Sequence, residues 1–166
     1  IGKHNAKVLN KENEPKIEMV NGVPKPCCDD PPNCPLMTER CDQTNVIYQA
    51  DVYAENKKMS YYGLTENEFK KRCSVHKTSF RNIKYNHTTL SSYIWKLKDK
   101  VSPWYVNWSI EARGHAFSSG GRACDLCLSE KLAILTADPF TMLNKRDELL
   151  ETCRHRRKHL LVSLFK

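Results

Sequence analysis

At 166 residues, with 40% hydrophobic and 28% charged residues, the chain has room for one compact domain and an appendage. Its net charge of +8 points to a polyanionic partner, nucleic acid or an acidic membrane surface, and says nothing of fold. No apolar run approaches the ~18 residues of a membrane span, and the start, IGKHNAKVLNKENEPK, lacks the charged-then-apolar order of a secretory signal.

The chain also opens without an initiator Met, so a fragment of a longer polypeptide is expected. Residues 1–26 carry no aromatic residue and few apolar ones, with Pro15, Pro24 and Pro26 among charges of both signs. They read as a linker or tether, with room for a short helix over residues 3–13. Residues 27–44, CCDDPPNCPLMTERCDQT, are too polar and Pro-rich to fold by hydrophobic burial. Cys27, Cys28, Cys34 and Cys41 are the natural ligands of a Zn2+ whose binding would fold this loop. Neighbouring side chains diverge, which makes Cys27 and Cys28 an awkward pair and leaves His4 as a substitute ligand; a disulfide pair or free thiols are the alternatives.

From residue 45 the pattern is that of a folded domain, 45–166. Val46, Tyr48, Ala50 and Val52 alternate onto one strand face, a turn around Glu55-Asn56-Lys57-Lys58 reverses the chain, and Met59–Leu64 returns as the second strand. Gly63 is expected to permit a sharp exit. Thr65 and Glu68 form a T-x-x-E capping box for a helix over about residues 66–77, which puts Phe69, Arg72, Cys73 and His76 on one side. Ser79–His87 reads as a basic loop, and Leu90, Tyr93, Ile94 and Leu97 form the apolar stripe of a second helix from Thr89. Trp104, Val106, Trp108 and Ile110 alternate along a third strand, where the Trp rings serve the core better than base stacking. A glycine-bearing loop over residues 113–122 leads to C-D-L-C-L-S-E and a helix to about Ala137. Beyond Pro139 a last helix is expected, with Asn144-x-x-Asp147 as its cap. The order β-β-α-α-β-α-α gives an α+β fold: a small antiparallel three-stranded sheet flanked by helices, with zinc-binding appendages.

The eight cysteines divide as four in the Pro-rich loop, one on a helix (Cys73) and three near the end. Cys124 and Cys127 form C-x-x-C, and Cys153-x-His155 follows about 25 residues later. These are zinc ligand types at zinc spacing. On a regular helix Cys153 and His155 would face apart, so the helix must fray or end there, or His159 must replace His155. With no secretory signal, two zinc sites fit better than a disulfide scaffold.

Tyr48, Tyr61 and Arg72 stand where a hydrophobic hairpin and helix do not need polar groups. Val46-Ile47-Tyr48 and Tyr61-Tyr62-Gly63 resemble the two halves of the GIY-YIG endonuclease motif. The segments CPL…C…VIYQADV…YYGLTENEFKKR…H…FRN and CDLCLSEK…LNKRDEL…CRH resemble, over nearly the whole chain, the nuclease region of Penelope-like retroelements. Val46 and Tyr62 depart from the short motif without removing a reacting group. The resemblance implies a DNA endonuclease that follows a reverse transcriptase in one polypeptide. It would nick target DNA in the nucleus to supply a 3′ end for reverse transcription, with retroelement RNA a further partner and no membrane involved. It further implies the catalytic set Tyr48, Tyr61, Arg72, His76, Glu130 and Asn144. Glu130 would hold one Mg2+ or Mn2+, Arg72 would contact phosphate, and either Tyr48 or His76 would be the general base. Tyr61 as a core residue, Asn144 as a helix cap and Glu130 as a solvated helix residue are the plainer readings. A zinc-stabilised nucleic-acid-binding module without cleavage is the alternative function.

Two basic runs flank this set: Lys70, Lys71, Lys77, Arg81 and Lys84, then Lys145, Arg146, Arg154, Arg156, Arg157 and Lys158. They are expected to contact phosphates in a salt-sensitive, sequence-independent way.

Overall fold

The computed structural model describes residues 19–20, 23–24, 34–36, 40–115, 117, 124–150, 152, 153 and 155. Within the expected tether, β1 (Met19–Val20) pairs antiparallel with β2 (Val23–Pro24). The expected helix over residues 3–13 lies outside the described residues, as do Cys27, Cys28, His4 and His159.

The domain is α+β. Its three-stranded antiparallel sheet has β3 (Val46–Ala54) in the centre, β4 (Lys57–Thr65) on one side and β5 (Trp104–Arg113) on the other. A two-residue turn joins β3 to β4. Glu55 and Asn56 both have positive φ, 52° and 57°, the backbone whose twist matches a hairpin. Tyr48 lies opposite Gly63 on β4 and opposite Ile110 on β5, where a bulge between Ile47 and Tyr48 shifts the register.

Helix α1 (Phe69–Arg81) and helix α2 (Thr89–Asp99) cover one face of the sheet. Val46, Tyr48, Ala50 and Val52 are fully buried there against Phe69, Leu90 and Ile94, with Trp108 closing the layer from β5. Helix α3 (Asp125–Thr136) covers part of the other face, with Leu126 packed on Ile47. The sheet is thus sandwiched at the Ile47 end, and β3 reads as continuously buried there rather than alternating.

Four expectations are corrected. The T-x-x-E box does not form: Thr65 ends β4, Glu68 flanks α1 without a side-chain cap, and the helix begins at Phe69. Its first amides bond instead to carbonyls of the Cys-rich loop, Phe69 N–H to Gln43 over 2.8 Å and Lys70 N–H to Cys41 over 2.7 Å. Ser79–Arg81 remain helical, and Ile83–Tyr85 form a 3-10 turn rather than a plain loop. Gly63 stays within β4 and marks no exit. Where the last expected helix was to begin, Arg146–Leu150 form a 3-10 turn and Asn144 bonds to β4 rather than capping it; beyond Leu150, His155 is helical, and Leu160 and Leu161 lie outside the described residues. The capping box of the domain belongs to α2: Thr88 accepts from Ser91 N–H, and the Ser91 hydroxyl accepts from Thr88 N–H.

The edge of β4 is covered by the segment before that turn. Ser60 N–H bonds to Thr141, and Leu143 N–H returns to Ser60, over 2.7 and 2.8 Å. This short parallel bridge blunts what would otherwise be an open sheet edge. Among the described residues no helix is long and apolar enough to cross a membrane.

Candidate active site and metal centre

Strand pleating sends Tyr48 and Tyr61 to the same face, toward α1, where Arg72 and His76 stand one turn apart. Arg72 Nε donates to Tyr48 Oη over 3.0 Å, and that oxygen lies 2.7 Å from His76 Nε2. His76 is enclosed by the rings of Tyr48, Tyr61, Phe80 and Trp108. Burial, and then the Arg72 charge, pull its pKa down to about 3, so the imidazole is neutral at physiological pH. The guanidinium only donates. The Tyr48 hydroxyl therefore accepts from Arg72 and passes its own hydrogen to Nε2, which places the imidazole proton on Nδ1.

Burial pushes the Tyr48 hydroxyl up to about 12 although Arg72 pulls the other way, and burial with the neighbouring Tyr48 raises Tyr61 as well. Gly63 makes this packing possible. A Cβ there would lie 2.5 Å from Tyr48 Oη and 2.7 Å from Cζ, atoms that Arg72 and His76 hold in place.

A cleft of about 540 Å³ opens along the β4 side of this group. Tyr61, Gly63, Arg72, Glu130, Cys127 and His155 are among the residues that line it. Tyr48 and His76 stand behind that surface, both almost fully buried. Glu130 reaches the cleft because C-x-x-C-x-x-E places Cys124, Cys127 and Glu130 at three-residue steps up one face of α3. Asn144 does not line the cleft. Its Oδ1 accepts from Tyr62 N–H over 2.7 Å, and its Nδ2 donates to Tyr62 O and to Glu148 Oε2, each over 2.9 Å. It is a clasp on the β4 edge, neither a helix cap nor a group turned to the cleft.

Cys124, Cys127, Cys153 and His155 come together with their ligand atoms all within 4.8 Å of one another, a group that can hold a metal ion such as zinc. His155 Nδ1 stands 3.3 Å from Cys124 Sγ, 3.2 Å from Cys127 Sγ and 3.9 Å from Cys153 Sγ. The Cys127 and Cys153 sulfurs are 3.6 Å apart. A tetrahedral zinc with bonds of about 2.3 Å to sulfur asks for sulfurs roughly 3.7 Å apart, so the set fits. Without a cation, burial and the adjoining thiols push the Cys127 thiol up, which keeps it protonated. Cys153 lies outside any helix, which removes the conflict between its direction and that of His155.

The proposed first zinc set is only half described. Cys41 is fully buried and Cys34 partly so, its thiol directed to Leu36 O over 3.0 Å; both pack on the main core. Among the described residues they join no group of three metal-binding side chains. Cys73 is buried in the core, and burial pushes its thiol up to about 11.

Of the basic residues, Lys70, Lys71, Lys77, Arg81 and Lys84 are exposed on α1 and the turn after it, and Lys70 and Lys71 are paired to Glu68 at 3.4 and 3.1 Å. Arg146 is exposed and Lys145 lines the cleft, while Arg154, Arg156, Arg157 and Lys158 lie outside the described residues. His87 and Lys131 also line the cleft, and neither was expected there. Lys131 follows from Glu130 by helical adjacency; His87 sits in a loop with no periodic signal.

No family pattern matches the chain, and neither a characterised protein nor a solved structure shows significant similarity to it.

Proposed function

We propose that the chain is a metal-dependent DNA endonuclease of the GIY-YIG type, the nuclease of a Penelope-like retroelement whose nick provides a 3′ end for reverse transcription. The observation that carries this reading is the chain of contacts from Arg72 to Tyr48 to His76, set behind a cleft that Glu130 also lines. A core tyrosine needs one hydroxyl partner. Tyr48 has an arginine and a neutral imidazole, an arrangement suited to moving a proton.

In this reading Arg72 faces both ways. Its Nε holds Tyr48, a further N–H meets Tyr61, and the N–H groups left over would be directed to a phosphate in the cleft, where they stabilise the charge that builds up at phosphorus. Once a bound phosphate draws Arg72 toward the cleft and admits a water to the buried Tyr48 oxygen, that water gives it a proton as the tyrosine proton passes to His76 Nε2, and the resulting hydroxide attacks the phosphorus. The 3′ oxygen leaves and is protonated by solvent. His76 thus acts through Tyr48 and not as a base in contact with the water. Glu130 would hold the Mg2+ or Mn2+. Its hard carboxylate in an open cleft fits an ion that keeps most of its own waters. When bound, that ion supplies positive charge to the phosphate and the leaving oxygen. Zinc at Cys124, Cys127, Cys153 and His155 is structural, holding the start of α3, and with it Glu130, against the C-terminal segment. The polypeptide would carry its reverse transcriptase elsewhere and work in the nucleus on DNA, with retroelement RNA as a second polyanion.

One observation favours the alternative of a binding module without cleavage: the Tyr48 hydroxyl is held at about 12, far from working pH. A nicking assay on supercoiled DNA with Mg2+ and Mn2+ separates the two. Wild type should cleave, and Arg72→Ala, Tyr48→Phe and Glu130→Ala should each lower the rate by about 10²-fold or more. DNA binding by the wild type with no cleavage in either ion supports the module. Cleavage that survives all three substitutions removes the site assignment.

A further inference from the structure

The cysteine and histidine ligands account for the first coordination sphere of the metal centre and leave one contact unused. His155 directs Nδ1 at the three thiols, at 3.2 to 3.9 Å, while its Nε2 lies 3.4 Å from Glu66 Oε1. The imidazole is nearly fully buried and the carboxylate about half-buried, 7% and 37% exposed at the side chain. Glu66 belongs to neither half of the expected ligand pattern. It stands between Thr65, the last residue of β4, and Phe69, the first of α1, six positions before Arg72.

A histidine that binds a metal through one ring nitrogen must carry its proton on the other. An acceptor at that second nitrogen selects the tautomer, fixes the ring plane and makes the ligand more basic. We propose that Glu66 is the outer carboxylate of the metal centre: it holds the Nε2 proton of His155 so that Nδ1 is the coordinating atom, and so ties the metal to the β4–α1 junction. Glu66 is a positioning residue that acts on the ion through His155. The consequence for the fold is a clamp. The ion joins α3 to the segment at Cys153 and His155, and Glu66 joins that assembly to the strand end from which the Arg72 helix departs.

The inference rests on the metal centre and is independent of nuclease chemistry, so its test reads metal binding alone. Zn2+ affinity of the full chain is measured by competition with a chromophoric chelator, and Co2+ substitution reports the ligand field by absorption. Glu66→Ala is expected to weaken Zn2+ about 10- to 100-fold, the range typical of outer-sphere partners. Glu66→Gln, which keeps an acceptor oxygen, should recover part of that loss while the Co2+ spectrum still reads three sulfurs and one nitrogen. Long-range proton–nitrogen NMR of the zinc form should show His155 protonated at Nε2 and coordinated at Nδ1. Equal affinity in wild type and Glu66→Ala, coordination through Nε2, or no zinc bound by the wild type would each overturn the proposal. The nicking assay is read separately, so failure of this proposal and failure of the nuclease reading are distinguishable. If Glu66→Ala fails to fold with metal, Glu66→Gln decides the matter by the same two readouts.

Discussion

His76 shows at the scale of one residue how the proposed site constrains the stability of the domain. Its imidazole is enclosed by four aromatic rings and accepts from Tyr48, and burial with the Arg72 charge holds its pKa near 3. In an unfolded chain the same ring titrates near 6.5. Between those two values the unfolded state binds a proton that the folded state refuses. Unfolding therefore takes up a proton there, and stability falls as pH falls from about 6.5 toward 3. The slope from this residue approaches about 1.4 kcal/mol per pH unit in mid-window and vanishes above about pH 7. Urea unfolding at pH 7.5 and at pH 5, on wild type and on His76→Gln, isolates the effect. Protonation of the metal ligands is common to both proteins and cancels in the difference. The wild type should lose clearly more stability than the variant between the two pH values. An equal loss would mean that the ring is not held neutral in the fold.

At the scale of elements, the β4 edge depends on a residue whose motif pointed elsewhere. Asn144 gives both ends of its amide to the Tyr62 backbone, across 82 positions of sequence, and its Nδ2 also meets Glu148. Asn144→Ala would leave a partly buried N–H and C=O of β4 without their partners, a loss of about 1–3 kcal/mol. Asn144→Asp, which can accept from Tyr62 N–H but cannot donate to Tyr62 O, should fall between. Thermal melting of the three proteins checks that order. The sequence carried no sign of this role, because a side chain that imitates a strand leaves no periodicity. The strands and α2 were legible because alternation and the Leu90, Ile94, Leu97 stripe are local patterns. The start of α1 was not, since its first amides are satisfied by the distant carbonyls of Gln43 and Cys41 and not by Thr65. Of the site, Tyr48, Tyr61, Arg72 and His76 were found from a hairpin and a helix with polar groups in odd places, and the Cys/His set from ligand spacing. Glu66 and His87 were missed for one reason: each lies in a connection, where only the fold decides what a side chain meets.

At the scale of the whole molecule the described residues divide between two apolar clusters of unequal independence. The larger one joins β3, β4, β5, α1 and α2 through Tyr48, Phe69, Leu90, Ile94 and Trp108, and no ligand of the Cys124 group belongs to it. The smaller one rests on Ile47 and Leu126, with Cys124 buried in it and Cys127 and Cys153 packed against it. Helix α3 exposes Leu128, Leu132 and Leu135, and between its ends it buries only Leu126 and Ile134. Its place on the sheet thus draws little from burial at about 25 cal/mol per Å² and much from the cross-link a metal would make between α3 and the segment at Cys153 and His155. Removing metal with a strong chelator should loosen α3 and the 3-10 turn after it, and leave the sheet with α1 and α2 folded. Hydrogen exchange followed by mass spectrometry reads this directly. Amides of residues 125–136 and 146–150 should lose protection by about 10²-fold or more, while those of β3 and the buried faces of α1 and α2 keep theirs. Protection should return when Zn2+ is restored. Uniform loss across all elements would show one cooperative unit in which the metal supports the main core. Unchanged protection in α3 would show that its few buried side chains suffice. In the expected case the stripped protein keeps Arg72, Tyr48 and His76 in register but no longer fixes Glu130 in the cleft, so a metal at the Cys124 group would control the position of the proposed Mg2+ ligand without taking part in the reaction.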